Sequence, residues 1–392
     1  IHAAVNGQST CSTITMTAPD SRIFLGSMTG TSLDGMDLVA VKFKPAAQPS
    51  LLHKRFIPYP DNLRNFLQEL CVNPEAKLSD ACHADSWLGE FYADSIIQFM
   101  LDFDLPASAI TALGSHGQTI RHSITENQPY TLQIGDPNII AARTGLSVIA
   151  DFRRRDVALG GQGAPLAPAF HEQVFRTPEA DRAIINIGGI ANITSLPADN
   201  SLAVTGFDTG PGNTLIDYIC RQNLSCRYDS AGNNARSGQI IEPLLESMLE
   251  REPYFNQPSP KSTGTDYFSP NWLSLFNFEQ YSTYDLLATL TELTVIGICR
   301  GILALTVTPN ACFVCGGGVH NDYLMERLEQ HLGHISLDST AKLGVDPDWV
   351  EAMAFAWLAK QTLALQPGNL PSVTNAKYVT VLGGIYHSHR QT

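Results

Sequence analysis

The chain has 392 residues, with 25 Lys plus Arg against 38 Asp plus Glu and a formal net charge of −13. Such a balance repels nucleic-acid backbones and anionic lipid heads, so it argues against both as partners, yet a few converging backbone N–H groups can still hold a small anion. Hydrophobic residues make up 44%, enough for a folded core; the length fits two or three domains, and no stretch reads as the ~20 apolar residues of a bilayer span.

Residues 1–20 are rich in Ser, Thr and Ala and lack the basic and apolar regions of a secretory signal. They read as a loose extension, with Met16 as a candidate natural start. Arg22–Ser27 and Leu38–Phe43 flank a polar turn and predict a β-hairpin. Asp61–Cys71 and Ala81–Leu101 carry apolar residues at helical spacing. Ile110–Ser115 and Leu146–Asp151 read as strands, the second ending in the charged run Asp151–Asp156. Gly160–Pro165 is a flexible loop.

The hairpin pattern then returns. Ala183–Ile187 and Ala191–Leu196 flank Gly188-Gly189, and Leu202–Phe207 precedes Asp208-Thr209-Gly210-Pro211-Gly212-Asn213 and a helix. Residues 250–272 read as a long loop and Tyr284–Leu305 as a helix. Ala311–Cys315 is a strand running into Gly316-Gly317-Gly318-Val319-His320-Asn321. Val350–Leu365 is a final helix. A hairpin-plus-helix unit recurring at domain spacing predicts two α/β lobes with a cleft between them. Lobe I would take 21–165, with 345–392 packing back on it, and lobe II 166–344. The eight cysteines include one C-x-x-C, Cys312 and Cys315, with no second pair to complete a zinc site. Buried thiols in a reducing cytoplasm are the expectation.

Three turns share a design: an apolar strand enters, small polar residues turn, and the chain leaves. They are Gly26–Asp37, Asn186–Thr194 and Cys315–Asn321. Glycine lets N–H groups converge on phosphate oxygens. Thr29, Thr31 and Ser32 add hydroxyls, and Asp34 and Asp37 can hold Mg²⁺ directly or through water. No P-loop motif is present.

The run Gly26-Ser27-Met28-Thr29-Gly30-Thr31-Ser32-Leu33-Asp34-Gly35-Met36-Asp37 resembles the signature of the anhydro-N-acetylmuramic acid kinase family. Gly114–Thr119, Asp151–Asp156, Gly160–Pro165, Asn186–Asn192, Gly206–Asn213, Lys261–Gly264 and Glu351–Leu358 match further motifs in order. The resemblance implies the two-lobed actin-like, sugar-kinase and heat-shock ATPase fold, built from duplicated RNase H-like domains. It implies ATP-dependent conversion of 1,6-anhydro-N-acetylmuramic acid to N-acetylmuramic acid 6-phosphate, with Mg²⁺, in bacterial cytoplasmic cell-wall recycling. The three glycine turns put the ATP and phosphate contacts on Gly30, Thr31, Ser32, Leu33, Asp34, Gly35, Met36 and Asp37, and on Gly188, Gly189, Gly316, Gly317, Gly318 and Asn321. A homodimer is allowed.

In the substrate O6 is tied to C1, so water must attack C1 and a base must take its proton. Asp208 fits that role and is the family's base. Asp156 sits among three arginines, which should pair its charge and depress its pKa; orienting substrate or structure suits it better. Arg155 fits the sugar's carboxylate or the moving phosphoryl group, or else a surface pair. His116 fits a sugar-facing donor or a core histidine. Glu351 fits substrate contact or simple compensation of a helix dipole. A nucleotide-driven switch or a sugar-sensing regulator on the same fold stays open as the alternative.

Overall fold

The computed structural model describes residues 22–44, 47–73, 75–124 and 127–388. The expected extension 1–20, with Met16 and Cys11, lies outside them.

Arg22–Met28 (β1), Gly35–Phe43 (β2) and Ser50–Pro58 (β3) form an antiparallel meander, and Ile110–Ser115 (β4) adds parallel to β1. Gln118–Ser123 (β5) and Tyr130–Ile134 (β6) make a separate hairpin, after which Val148–Ala150 (β7) adds parallel to β4. Arg182–Ile187 (β8), Ile190–Leu196 (β9) and Thr205–Pro211 (β10) form a second meander. Ala311–Cys315 (β11) adds parallel to β8, and Ser336–Ser339 (β12) parallel to β11. Gly384–Tyr386 (β13) returns to pair with β7. The sheets therefore run β3-β2-β1-β4-β7-β13 and β10-β9-β8-β11-β12. The wiring is the same in both: a meander, then two parallel strands on the far side of its first strand. This is the duplicated RNase H-like arrangement of the actin-like, sugar-kinase and heat-shock ATPase fold.

Each sheet carries one long apolar helix pressed close by glycines. Val350–Leu363 lies on β1, β2 and β4. A Cβ on Gly26 would sit 2.1 Å from the Ala352 carbonyl oxygen, and one on Gly114 2.0 Å from that of Phe355. Thr283–Leu303 lies on β9 and β10, where Gly297 and Gly301 face Thr209. By length and composition this second helix could cross a bilayer, contrary to the reading of the sequence. Most of it is buried against lobe II instead, which is why its polar face is so thin.

Several boundaries move. The sequence reading omitted β3 and the β5–β6 hairpin. β3 alternates exposed and half-buried residues as an edge strand does, and Lys54 and Arg55 on it form ion pairs with Asp346 and Asp102. Residues 250–272 are more ordered than a loop. Glu252 is buried there and accepts hydrogen bonds from the Tyr254 N–H, the Tyr267 hydroxyl and the Trp272 indole. No disulfide joins the seven cysteines among the described residues.

Candidate active site

Duplication puts the β1–β2 and β8–β9 turns at equivalent ends of the two sheets. The first turn is tied to the β4–β5 turn. The Thr29 hydroxyl donates to the Gly117 carbonyl at 2.7 Å, the Gln118 amide donates to the Gly30 carbonyl at 3.0 Å, and the His116 N–H donates to the Ser27 carbonyl. Thr31 and Ser32 form its exposed tip, and Ser32 Oγ donates to Asp34. Leu33 takes a left-handed backbone, φ 55°, and buries its side chain, as does Met36. Like the glycines assigned to phosphate, Leu33 and Met36 therefore have only backbone to offer. The second turn grips the start of helix Thr214–Asn223: the N–H groups of Gly212 and Asn213 donate to Gly189 and Gly188.

At the end of β11, Gly316 has φ 80°, and a Cβ on Gly318 would lie 2.3 Å from Ile187. Gly317 has no atom within 4 Å of where its Cβ would stand. The loop thus packs tightly at two glycines and opens at the third, a cradle into which a ligand can approach backbone. Asn321 is buried and its side chain caps helix Asp322–Leu332, accepting from the Leu324 N–H.

Asp208 lies inside β10, one residue before a register shift, rather than beyond the strand. Gly210, with φ 138°, makes that irregularity possible. The segment Lys261–Thr263 runs alongside: the Asp208 N–H donates to the Lys261 carbonyl, and Asp208 Oδ2 accepts from the Thr263 N–H at 2.9 Å. Oδ1 has no partner among the described residues. Burial pushes the carboxyl up to about 7, against the opposing pull of the Thr263 N–H and the Lys261 charge.

The charged run Asp151–Asp156 is rearranged from expectation. Asp156 is fully buried and pairs with no arginine. Oδ1 accepts from Asn369 and Thr374 and Oδ2 from the Gly163 N–H, each at 2.8 Å. These neutral donors satisfy the carboxylate and fasten the 160–163 loop to the C-terminal segment. Arg155 is exposed and bonds no described residue. Arg154 is also exposed and lies 3.5 Å from Asp151.

Arg153, which the sequence reading passed over, is the guanidinium that turns inward. It donates to His116 Nε2 at 2.8 Å and to the Gly163 carbonyl at 2.9 Å. Burial lowers it to about 10, countered by Glu351 and Asp156. Burial raises the carboxyl of Glu351, and Arg153 opposes that rise. The Arg153 charge is thus near enough to act on Glu351. Burial, then the nearby Arg153 charge, holds His116 well below the usual histidine range.

Asp37 at the start of β2 is pushed up to about 7, by burial first and then by Asp34, Glu351 and Asp348. Asp217, on the first turn of helix Thr214–Asn223, is also raised to about 7, by burial and by Asp34. Asp34 of the β1–β2 turn is therefore near enough to Asp217 to act on its charge. The signal for Asp217 was available in the sequence as an acidic residue four places after Asn213.

The family model for anhydro-N-acetylmuramic acid kinase matches residues 22–388. The chain belongs to this family. Among its curated relatives, the anhydro-N-acetylmuramic acid kinase of Shewanella denitrificans is 48% identical, over 93% of this chain and 98% of that protein. The same enzyme of Hahella chejuensis is 47% identical, over 94% and 99%. A solved ROK family glucokinase from Streptomyces griseus, in complex with glucose and AMPPNP, is a more distant likeness. It has a TM-score of 0.38 and 11% identity, covering 86% of this chain and 99% of that one.

As an anhydro-N-acetylmuramic acid kinase the chain uses ATP, and the fit of a divalent cation can be judged from its charges. Among the described residues no three metal-ligating side chains cluster. Mg²⁺ keeps several waters and needs only one or two carboxylates beside substrate phosphates. Asp34, Glu351 and Asp348 crowd Asp37 with negative charge, which fits that mode of binding. Asp37→Asn is expected to weaken Mg²⁺ affinity about 10–100-fold, as loss of a water-mediated partner does. It should leave the thermal midpoint unchanged or higher, since it also removes repulsion. A normal Mg²⁺ dependence of ATP use, or a large fall in melting temperature, would contradict this.

Proposed function

We propose that the chain converts 1,6-anhydro-N-acetylmuramic acid, water and ATP into N-acetylmuramic acid 6-phosphate and ADP, with Asp208 as the base. The observation that carries the assignment is the Asp208 carboxylate itself. It is held by one backbone N–H, free at its other oxygen and poised near neutrality. Water attacks C1 and gives its proton to Asp208. The C1–O6 bond breaks, O6 bonds to the γ-phosphorus, and ADP leaves with the electron pair of the bond it loses.

The β1–β2 and β8–β9 turns and the open Gly317 would receive the nucleotide, with Asp34 and Asp37 holding Mg²⁺. The metal, when bound, neutralises charge on the phosphates. Glu351 and Arg153 form the charged floor of the sugar side, and His116 is fixed there as a neutral ring. Work in the bacterial cytoplasm follows from this reading.

The test is ADP release measured with and without the anhydro sugar. Sugar-dependent release supports the kinase; sugar-independent turnover supports a nucleotide switch. In ¹⁸O-water the label is expected on the anomeric oxygen, quenched early, and absent from the phosphate. Label in the phosphate would reject the mechanism.

A further inference from the structure

The β1–β2 turn rests on a chain of buried polar side chains that the chemistry above does not use. Gln118 is wholly buried. Its Nε2 donates to the Gly30 carbonyl at 3.0 Å and lies 3.5 Å from the carbonyl of Thr119. A carbonyl only accepts, so the NH₂ end must face Gly30 and Oε1 must face away. There the Tyr59 hydroxyl donates to Oε1 at 3.2 Å, and the Tyr92 hydroxyl stands 2.8 Å from that of Tyr59. With the Tyr59 proton committed to Gln118, Tyr92 is the donor to Tyr59. The bonds therefore run one way, from Tyr92 through Tyr59 and Gln118 to the Gly30 carbonyl. Tyr59 also holds the far end of the turn, where its N–H donates to the Asp34 carbonyl at 3.0 Å.

Both tyrosines are buried as well. Packing alone calls for no such set, since leucine and phenylalanine fill similar space with no polar group to satisfy. What the polar groups add is direction. In a planar trans peptide the C=O and the N–H point opposite ways. The Gly30 carbonyl and the Thr31 N–H belong to one peptide, so drawing the carbonyl inward turns the N–H outward. Glycine on its amino side leaves that peptide free to rotate unless something fixes it. Thr31 is exposed at the tip, and its N–H donates to no other group among the described residues.

We propose that Gln118, backed by Tyr59 and Tyr92, is a positioning residue for the nucleotide: it locks the Gly30–Thr31 peptide with the N–H presented to a phosphate oxygen of ATP. The assignment rests on the reading of this turn as a phosphate site.

The test measures sugar-dependent ADP release by the full chain while ATP and sugar are varied in turn. Gln118→Met keeps the side chain's length and removes the amide. It is expected to raise KM for ATP about 10-fold, the worth of one hydrogen bond to a charged group, and to leave kcat and KM for the sugar within about 2-fold of wild type. Tyr59→Phe removes only the middle oxygen and should raise KM for ATP about 3-fold. The double variant should match Gln118→Met, because both act through one peptide. Equal rises for both substrates, additive losses in the double variant, or a fall in kcat with KM for ATP unchanged would mark a merely structural network and overturn the proposal. Thr31→Pro deletes the N–H itself, at the opening of a turn where proline is favoured. If it raises KM for ATP and Gln118→Met does not, the peptide needs no lock and the proposal fails while the phosphate reading stands. If neither does, the turn holds no nucleotide and both fail. Should Gln118→Met not fold, Tyr59→Phe carries the same comparison with Thr31→Pro.

Discussion

Asp208→Asn is expected to lower kcat by about 10²–10⁴, the usual worth of a general base, while ATP and sugar still bind. The amide keeps the shape and can still accept from the Thr263 N–H, but it takes no proton from water. In wild type the base works only when ionised. With its carboxyl at about 7, kcat/KM should rise as pH increases through that value and flatten above it. The limb should vanish in Asp208→Asn. The neighbouring candidate, Asp156, should respond otherwise. Its two oxygens already accept from three protein donors. An amide there must turn its NH₂ toward one of them. Asp156→Asn should therefore cost stability, about 1–3 kcal/mol for one buried donor left unmatched, and the folded fraction should turn over normally. Loss of turnover with intact binding in Asp156→Asn alone would reverse the assignment.

The largest effect on folding is expected at Gly114. Its missing side chain lets the Phe355 backbone approach β4, and a Cβ would stand 2.0 Å from that carbonyl oxygen. Backbone on both sides leaves nothing flexible to move aside. Gly114→Val must lift helix Val350–Leu363 from the sheet or shift the strand, a cost of about 3 kcal/mol or more. Since that helix begins beside Glu351, any protein that folds should also bind the sugar poorly. Chemical denaturation measures the first effect and calorimetric titration the second. A variant with wild-type stability would show that the contact yields more easily than the geometry implies.

Much of this was legible in the sequence because glycine turns and apolar strands are local signals. The repeated hairpin around Gly188-Gly189 announced the duplication before any sheet could be drawn. Edge strand β3 escaped because its alternation sits between polar residues and its apolar side chains are half exposed. Asp156 was misjudged for a different reason. Three adjacent arginines suggest ion pairs along the chain. Its true partners, Asn369 and Thr374, are more than two hundred positions away. Arg153, Arg154 and Arg155 look alike in sequence, and only the turn into helix Arg154–Ala158 decides which one faces His116.

The helix that covers lobe I has a bearing on how the protein is made. The first sheet is assembled from early segments, yet its covering helix and its last strand, β13, come from beyond residue 350. Lobe II, by contrast, is covered by Thr283–Leu303, which is nearly adjacent to its own strands in sequence. During synthesis the glycine-lined face of β1 and β4 must wait, uncovered, until helix Val350–Leu363 has left the ribosome, and β7 stays an unpaired edge until Gly384–Tyr386 follows. Lobe II can close first, and the half-made lobe I is the stretch that a nascent-chain chaperone would have most reason to shield.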